Sequence, residues 1–289
     1  MIIEKIAQIE NCRQDGLIWN GYFFSFTSKG KVQAFKMSDI DNPEIETPEV
    51  FSEFYLDQSK DLIPHNNAVT FGKEYYSPED EYPLIYTNVY NNYYAQGNQL
   101  QGVCCVYRLW QTEGGFETEL VQLIEIGFTK DSKLWSSSPE CDDVRPYGNF
   151  VVDRDNGIFY AFTMRDKLNT TRYFAFDLPK VTDGEMDETY GVKKVVLNPA
   201  DIKEYFDCPY HHYMQGACVH EGKIYSLEGF TNTPSALPVL RIIDPEAKKE
   251  IAYINFSDYG MNIETELIDF YNGKCYYMDD EGAIYNLIF

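Results

Sequence analysis

Residues 212–230 read "HYMQGACVHEGKIYSLEGF", and residues 262–280 read "NIETELIDFYNGKCYYMDD". Each opens on polar residues, passes into a short apolar run, turns at Glu-Gly or Asn-Gly, and continues as an aromatic run. The central positions of a tight hairpin turn need positive φ, which Gly and Asn tolerate, so each stretch reads as two antiparallel strands. A unit of this kind written twice within about fifty residues points to a repeat architecture.

The pattern recurs upstream. Arg13 to Trp19 leads through Asn20-Gly21 into Tyr22 to Phe26, and Arg145 to Val152 leads through Asp155-Asn156-Gly157 into Ile158 to Phe162. A looser copy runs from His65 to Phe71 and then from Tyr82 to Thr87. Two more strand-like runs follow in the better-defined copies: Pro238 to Asp244 and Glu250 to Phe256 in the fourth, Arg172 to Asp177 and Lys193 to Leu197 in the third. Short alternating strands indicate antiparallel sheets, and four strands per repeat around a ring make a β-propeller. The expected fold is therefore all-β and five-bladed.

The last repeat ends one strand short at Phe289, while Ile2 to Ile9 alternates like a strand but precedes the first repeat. Both features are explained if the N-terminal strand completes the last blade and closes the ring, leaving no open edge there. The expected blades are 12–57, 64–128, 142–198, 211–258, and 262–289 with 2–9, in a single domain spanning 1–289. Tyr94 to Gln101, Thr129 to Asp142 and the acidic Val181 to Gly191 are expected to be loops. Asn198 to Phe206 is the one segment expected to form a helical turn or short helix.

Tyr (24) and Phe (19) are abundant, and flat rings pack well on pleated sheets. A net charge of −22 repels phosphate backbones and anionic lipid, so neither nucleic acid nor a membrane surface is an expected partner. The seven Cys, at 12, 104, 105, 141, 208, 218 and 275, show no C-x-x-C spacing, and several lie within apolar runs. They are expected to be buried, reduced thiols in a cytoplasmic protein. Met1 to Glu10 lacks a basic stretch followed by a continuous apolar core, and no later run is long enough to span a membrane, so an unprocessed soluble chain is expected, as a monomer.

In a propeller the innermost strands line an axial funnel. Here their lead-ins are polar, so residues from five distant segments should converge. The expected ligand-binding set is Arg13, Asp15, His65, Asn67, Arg145, Tyr147, Asn149, His212, Tyr213, Gln215 and Glu266. A hydrated channel would also be polar, but Arg and His are bulkier than hydration requires. Tyr and His together with amides and carboxylates suit a polyhydroxylated ligand, most plausibly a carbohydrate or glycan fragment.

Glycoside hydrolysis requires two facing carboxyl groups. Asp15 with Glu264 or Glu266 would supply them, which makes a glycan-active enzyme the alternative. A protein-interaction platform, using blade faces or inserts, is the third reading. His65, His211 and His212 lack metal-ligand spacing, so no metal or other cofactor is expected. Asp153 to Gly157 begins like a calcium loop but has Met164 where the closing Glu belongs, and a hairpin turn accounts for it. There is no G-x-S-x-G and no phosphate-binding Gly-rich loop.

The whole chain resembles a five-bladed bacterial β-propeller through repeats such as Gly222 to Leu227 and Gly273 to Met278. It is similar in expected architecture to five-bladed propeller glycosidases, which carry acidic residues on their inner strands. It departs from them at Asn67, Asn149 and Gln215, whose amides cannot act as acid or base. The resemblance implies a fold and carries no residue roles with it.

Overall fold

The computed structural model describes residues 1–11, 13–89, 102–126, 150–165, 170–209 and 214–289. After β1 (Ile2–Gln8), blade one is formed by β2 (Gly16–Trp19), β3 (Tyr22–Phe26), β4 (Lys31–Lys36) and β5 (Ser52–Tyr55). Blade two is built on β6 (Val69–Phe71), β7 (Ile85–Val89), β8 (Val103–Thr112) and β9 (Gly115–Ile126). Blade three begins with β10 (Phe150–Asp153), β11 (Ile158–Arg165) and β12 (Thr170–Asp177). The chain then makes an excursion through β13 (Glu185–Asp187) and β14 (Val192–Leu197) before β15 (Glu204–Pro209) completes that blade. Blade four is β16 (Met214–His220), β17 (Lys223–Glu228), β18 (Val239–Asp244) and β19 (Lys249–Asn255). Blade five is β20 (Thr265–Tyr271), β21 (Lys274–Asp279) and β22 (Ala283–Ile288), and β1 is its outer strand.

β1 runs antiparallel to β22 from Ile2 opposite Ile288 to Gln8 opposite Ala283, so the ring closes as the sequence pattern requires. The hairpin turns also match expectation. Asn20-Gly21, Glu221-Gly222 and Asn272-Gly273 have positive φ at both central residues, at 46° and 81°, 48° and 69°, and 49° and 76°. This geometry matches the right-handed twist of the strands it joins.

Each blade is buried on both faces. Successive residues of one strand serve different interfaces: Phe24 packs toward blade two and Phe23 toward blade five, while Cys105 faces blade one and Cys104 faces blade three. Five apolar clusters fill the five gaps between blades, with Val151, Tyr173 and Ala217 between blades three and four, and Leu227, Ile268 and Tyr277 between four and five. This double burial accounts for the continuous apolar runs in the sequence. Cys104, Cys105, Cys208, Cys218 and Cys275 are buried free thiols, and Cys12 and Cys141 lie outside the described residues.

Three expectations need correction. Lys193 to Leu197 is not the fourth strand of blade three: as β14 it pairs in parallel with β9 of blade two, and blade three extends past residue 198 to Pro209. The helical turn expected within Asn198 to Phe206 is present as a 3₁₀ turn at Pro199–Asp201, but it does not extend to Phe206, because alternating burial in Tyr205, Phe206 and Asp207 suits the strand β15. The acidic Val181 to Gly191 stretch contains β13, and short helical turns absent from the sequence reading occur at Met37–Ile40, Ser59–Leu62 and Phe256–Tyr259. Among the described residues no helix is long and apolar enough to cross a membrane.

Candidate funnel site

The inner strands β2, β6, β10, β16 and β20 contact one another in ring order, bringing their first residues together at one end of the axis. Two adjacent inner strands carry a β-bulge at equivalent places, β16 between Met214 and Gly216 and β20 between Thr265 and Leu267. The residues inside these bulges are Gln215 and Glu266. Bulges re-aim side chains and are frequent beside functional sites. Gly216 makes the approach of the two strands feasible, since a Cβ there would lie 2.2 Å from the Glu266 carbonyl oxygen.

Hydrogen bonds connect residues from four blades. Gln14 Nε2 donates to Glu266 Oε2 at 2.9 Å, and Gln215 Nε2 donates to Glu264 Oε1 at 2.5 Å and to the Gly229 carbonyl at 3.2 Å. Asn67 Nδ2 donates to the Met214 carbonyl at 3.2 Å and more weakly to Gln215 Oε1 at 3.4 Å. The backbone holds Glu264 in place: its N–H donates to Thr231 Oγ1, and its carbonyl accepts from the Asp280 N–H, both at 2.9 Å.

Electrostatics at this end are dominated by carboxyls. Burial pushes Glu264 up to about 7, with Asp280 adding to the effect. Glu266 is pushed well up by burial, then by the charges of Glu264, Asp280 and Asp15. Asp280 is raised by partial burial, and Arg13 pulls it back.

Asp15 plays a different part from Glu264 and Glu266. Oδ1 accepts from the Gly16 N–H at 2.7 Å and Oδ2 from the Val69 N–H at 2.8 Å, so this buried carboxyl ties blade one to blade two. Asp269, farther along β20, does the same between blades five and one by accepting from Ile18 N–H at 2.8 Å. Near that opposite end the Arg154 guanidinium lies 4.1 Å over the Trp19 ring.

Of the residues expected at the site, the structure groups Asp15, Asn67, Gln215 and Glu266, together with Glu264 from the catalytic alternative. Arg13 is placed by its charge on Asp280 and by its Cδ beside Gly282. His65 enters through its backbone, donating to the Asn88 carbonyl at 2.9 Å, and burial lowers its imidazole to about 4. Arg145, Tyr147, Asn149, His212 and Tyr213 lie outside the described residues, as does His211.

Sequence reasoning did not select Gln14 or Asp280. Gln14 sits between two selected residues and could have been found by treating the lead-in as a unit. Asp280 lies in the turn between β21 and β22, and only the pairing of Thr265 with Asp279 brings that turn to the start of β20. Among the described residues no group of three or more His, Cys, Asp or Glu is arranged to hold a metal ion.

No protein-family model matches the chain, and no curated protein matches it. Solved structures with a similar course include a Myxococcus xanthus glutaminyl cyclase, at 10% identity and a TM-score of 0.49, covering 99% of this chain and 93% of the other. Another is a GH43 β-1,3-galactosidase with galactodeoxynojirimycin, at 10% identity and a TM-score of 0.45, covering 98% and 93%. Likenesses at this level leave the chemistry of those two enzymes with them, and the propeller assignment here rests on the five sheets themselves.

Proposed function

We propose that this chain is a ligand-binding propeller whose funnel recognises a small polar molecule of the carbohydrate class. The observation that supports this most is the pair of carboxyls, Glu264 and Glu266, each held by a glutamine from a neighbouring blade. Fixed carboxyl and amide groups at the starts of the inner strands suit a ligand with several hydroxyls, each of which both donates and accepts. Arg13, His65 and Asn67 extend this set, and Arg145, Tyr147, Asn149, His212 and Tyr213 belong to it on the sequence reading.

Thermal melts against a library of mono- and oligosaccharides test the proposal, since a ligand that binds only the folded state raises the melting temperature by mass action. At least one sugar is expected to stabilise the wild type and to lose its effect in Gln215→Ala. Unchanged affinity in an Arg145→Ala, His212→Ala double variant would remove those two residues from the site, and silence across the library would sink the carbohydrate reading.

One observation favours a catalytic variant of this reading: Glu264 titrates near neutrality beside a second carboxyl, as a general acid requires. With both Asp15 oxygens already accepting backbone N–H groups, the pair for glycan cleavage would be Glu264 and Glu266. Chromatography of a bound oligosaccharide after incubation separates the two: intact sugar means binding alone, and shorter products mean hydrolysis.

A further inference from the structure

The inner strands run away from the funnel, so the turns that follow them surround the far mouth of the axis. These are Trp19 to Tyr22, Phe71 to Ile85, Asp153 to Ile158, His220 to Lys223 and Tyr271 to Lys274. Every residue of these turns is described, and the strand ends that border undescribed residues lie at the funnel end instead.

Arg154, in the turn after β10, lies across this mouth. Its guanidinium sits 4.1 Å over the Trp19 ring of blade one, and its charge is felt by Asp269 of blade five. Neither blade adjoins blade three in the ring, so the side chain reaches over the axis. Asp269 is committed elsewhere: Oδ2 accepts from the Ile18 N–H and Oδ1 from the Phe270 N–H, each at 2.8 Å. Arg154 makes no hydrogen bond or ion pair with any described residue. The other cations of these turns are engaged. Lys223 pairs with Asp244 and Lys274 with Asp41, both at 3.1 Å, and Lys73 donates to the Asp155 carbonyl at 3.4 Å.

A guanidinium laid on an aromatic face with its edge donors open is arranged to grip a carboxylate through two parallel hydrogen bonds. Asp153, Asp155, Glu221 and Asp269 lie in or beside the same turns, so a dianion would be repelled, whereas a single carboxylate matches the single guanidinium. Flat apolar surface is also present at this mouth. Trp19 packs on Phe71 with ring centroids 5.5 Å apart, and Phe270 stacks on His220 at 3.8 Å and 3°. Trp19, Arg154, His220 and Phe270 are all partly exposed.

We infer that the far mouth of the axis is a second binding site, for a small aromatic monocarboxylate, with the carboxylate on the Arg154 guanidinium and the ring against Trp19. This site shares no residue with the funnel and does not depend on the carbohydrate reading.

The test is isothermal titration at neutral pH with benzoate, phenylacetate and cinnamate, each matched with its neutral amide, and with acetate and inorganic phosphate alongside. At least one aromatic acid is expected to bind about tenfold tighter than its amide, the scale of a hydrogen bond to a charged group, and tighter than acetate or phosphate. Arg154→Gln is expected to bring the acid-to-amide ratio toward one. Arg154→Lys, which keeps the charge and loses the planar fork, should weaken acid binding as well. Gln215→Ala, at the funnel end, should leave it unchanged.

Amides or acetate binding as tightly as the aromatic acids would overturn the ligand class, and phosphate binding more tightly would overturn the single-charge requirement. No binding by any of the acids, an acid preference that survives Arg154→Gln, or one that disappears in Gln215→Ala would overturn the site. The comparison among ligands on the wild-type protein decides the ligand class even if a variant fails to fold.

Discussion

Replacing Gly216 by Ala tests whether the approach of β16 and β20 sets the site. Gly216 does not have positive φ, so the substitution adds no backbone strain of its own. The added methyl, however, would lie 2.2 Å from the Glu266 carbonyl oxygen and 3.4 Å from Asp15 Oδ1. Restoring ordinary contact with a backbone oxygen requires the strands to separate by roughly 1 Å, and overpacking of this kind costs about 1–3 kcal/mol.

β20 cannot yield alone, because Leu267 is fully buried against blade one and Ile268 is buried against blade four. The expected result is a fall in melting temperature of about 2–4 °C per kcal/mol lost. Weaker ligand binding should accompany it as Glu266 is carried away from Gln14. Gly222→Ala is the control. It has φ of +69° and nothing within 4 Å of its added methyl, so it should show only the conformational penalty of about 1–2 kcal/mol, with ligand binding unchanged. Urea and thermal unfolding measure both variants. A Gly216→Ala protein that melts within about 1 °C of wild type, or that binds ligand unchanged, would refute the reasoning.

Two further outcomes are expected. Removing residues 1–9 deletes the partner of β22 together with buried Ala7 and Ile9; Ile9 alone is worth about 1.5–3 kcal/mol. The truncated chain should unfold at clearly lower urea, and a synthetic peptide of residues 1–9 should restore it, whereas equal midpoints would contradict ring closure by β1. The second concerns pH. Glu264 is raised from 4.5 to about 7, so its contribution to stability is fully present below about pH 4.5 and is lost as pH rises through about 7. Glu264→Gln should flatten that part of the stability profile measured by urea midpoints; an unchanged slope would show that burial does not perturb this carboxyl.

The sequence carried the blade count and the ring closure because both rest on local, repeated signals: a polar lead-in, a short strand, an Asn-Gly or Glu-Gly turn, and an aromatic strand. Strand partnership is a different kind of information. Lys193 to Leu197 and Glu204 to Pro209 are both plausible strands, and nothing within either run says which blade it joins. That choice depends on Tyr190 and Val192 packing into the cluster between blades one and two, and on Gln122 Nε2 donating to the Lys180 carbonyl at 2.7 Å and the Asp183 carbonyl at 3.1 Å.

The site was legible in the same uneven way. The lead-ins identified Asp15, Asn67, Gln215 and Glu266 as neighbours, since convergence follows from the fold. The distinction between Asp15, which binds backbone, and Glu266, which faces an amide, follows from the bulge in β20 and the reach of Asp15 to Val69 N–H. Neither feature has a signature in residue type.

The excursion through β13 and β14 has a consequence for how such a chain could be altered by recombination. Blades one and four are sequential modules that a genetic cut between repeats would carry whole. Blade two, by contrast, takes its outermost strands from a segment encoded inside blade three. A crossover between these two repeats would strip the edge of one blade or leave a stray hairpin on another. The smallest unit that could be duplicated, exchanged or grafted here is therefore the pair, and shuffled libraries built on this scaffold should place their junctions outside residues 69–209.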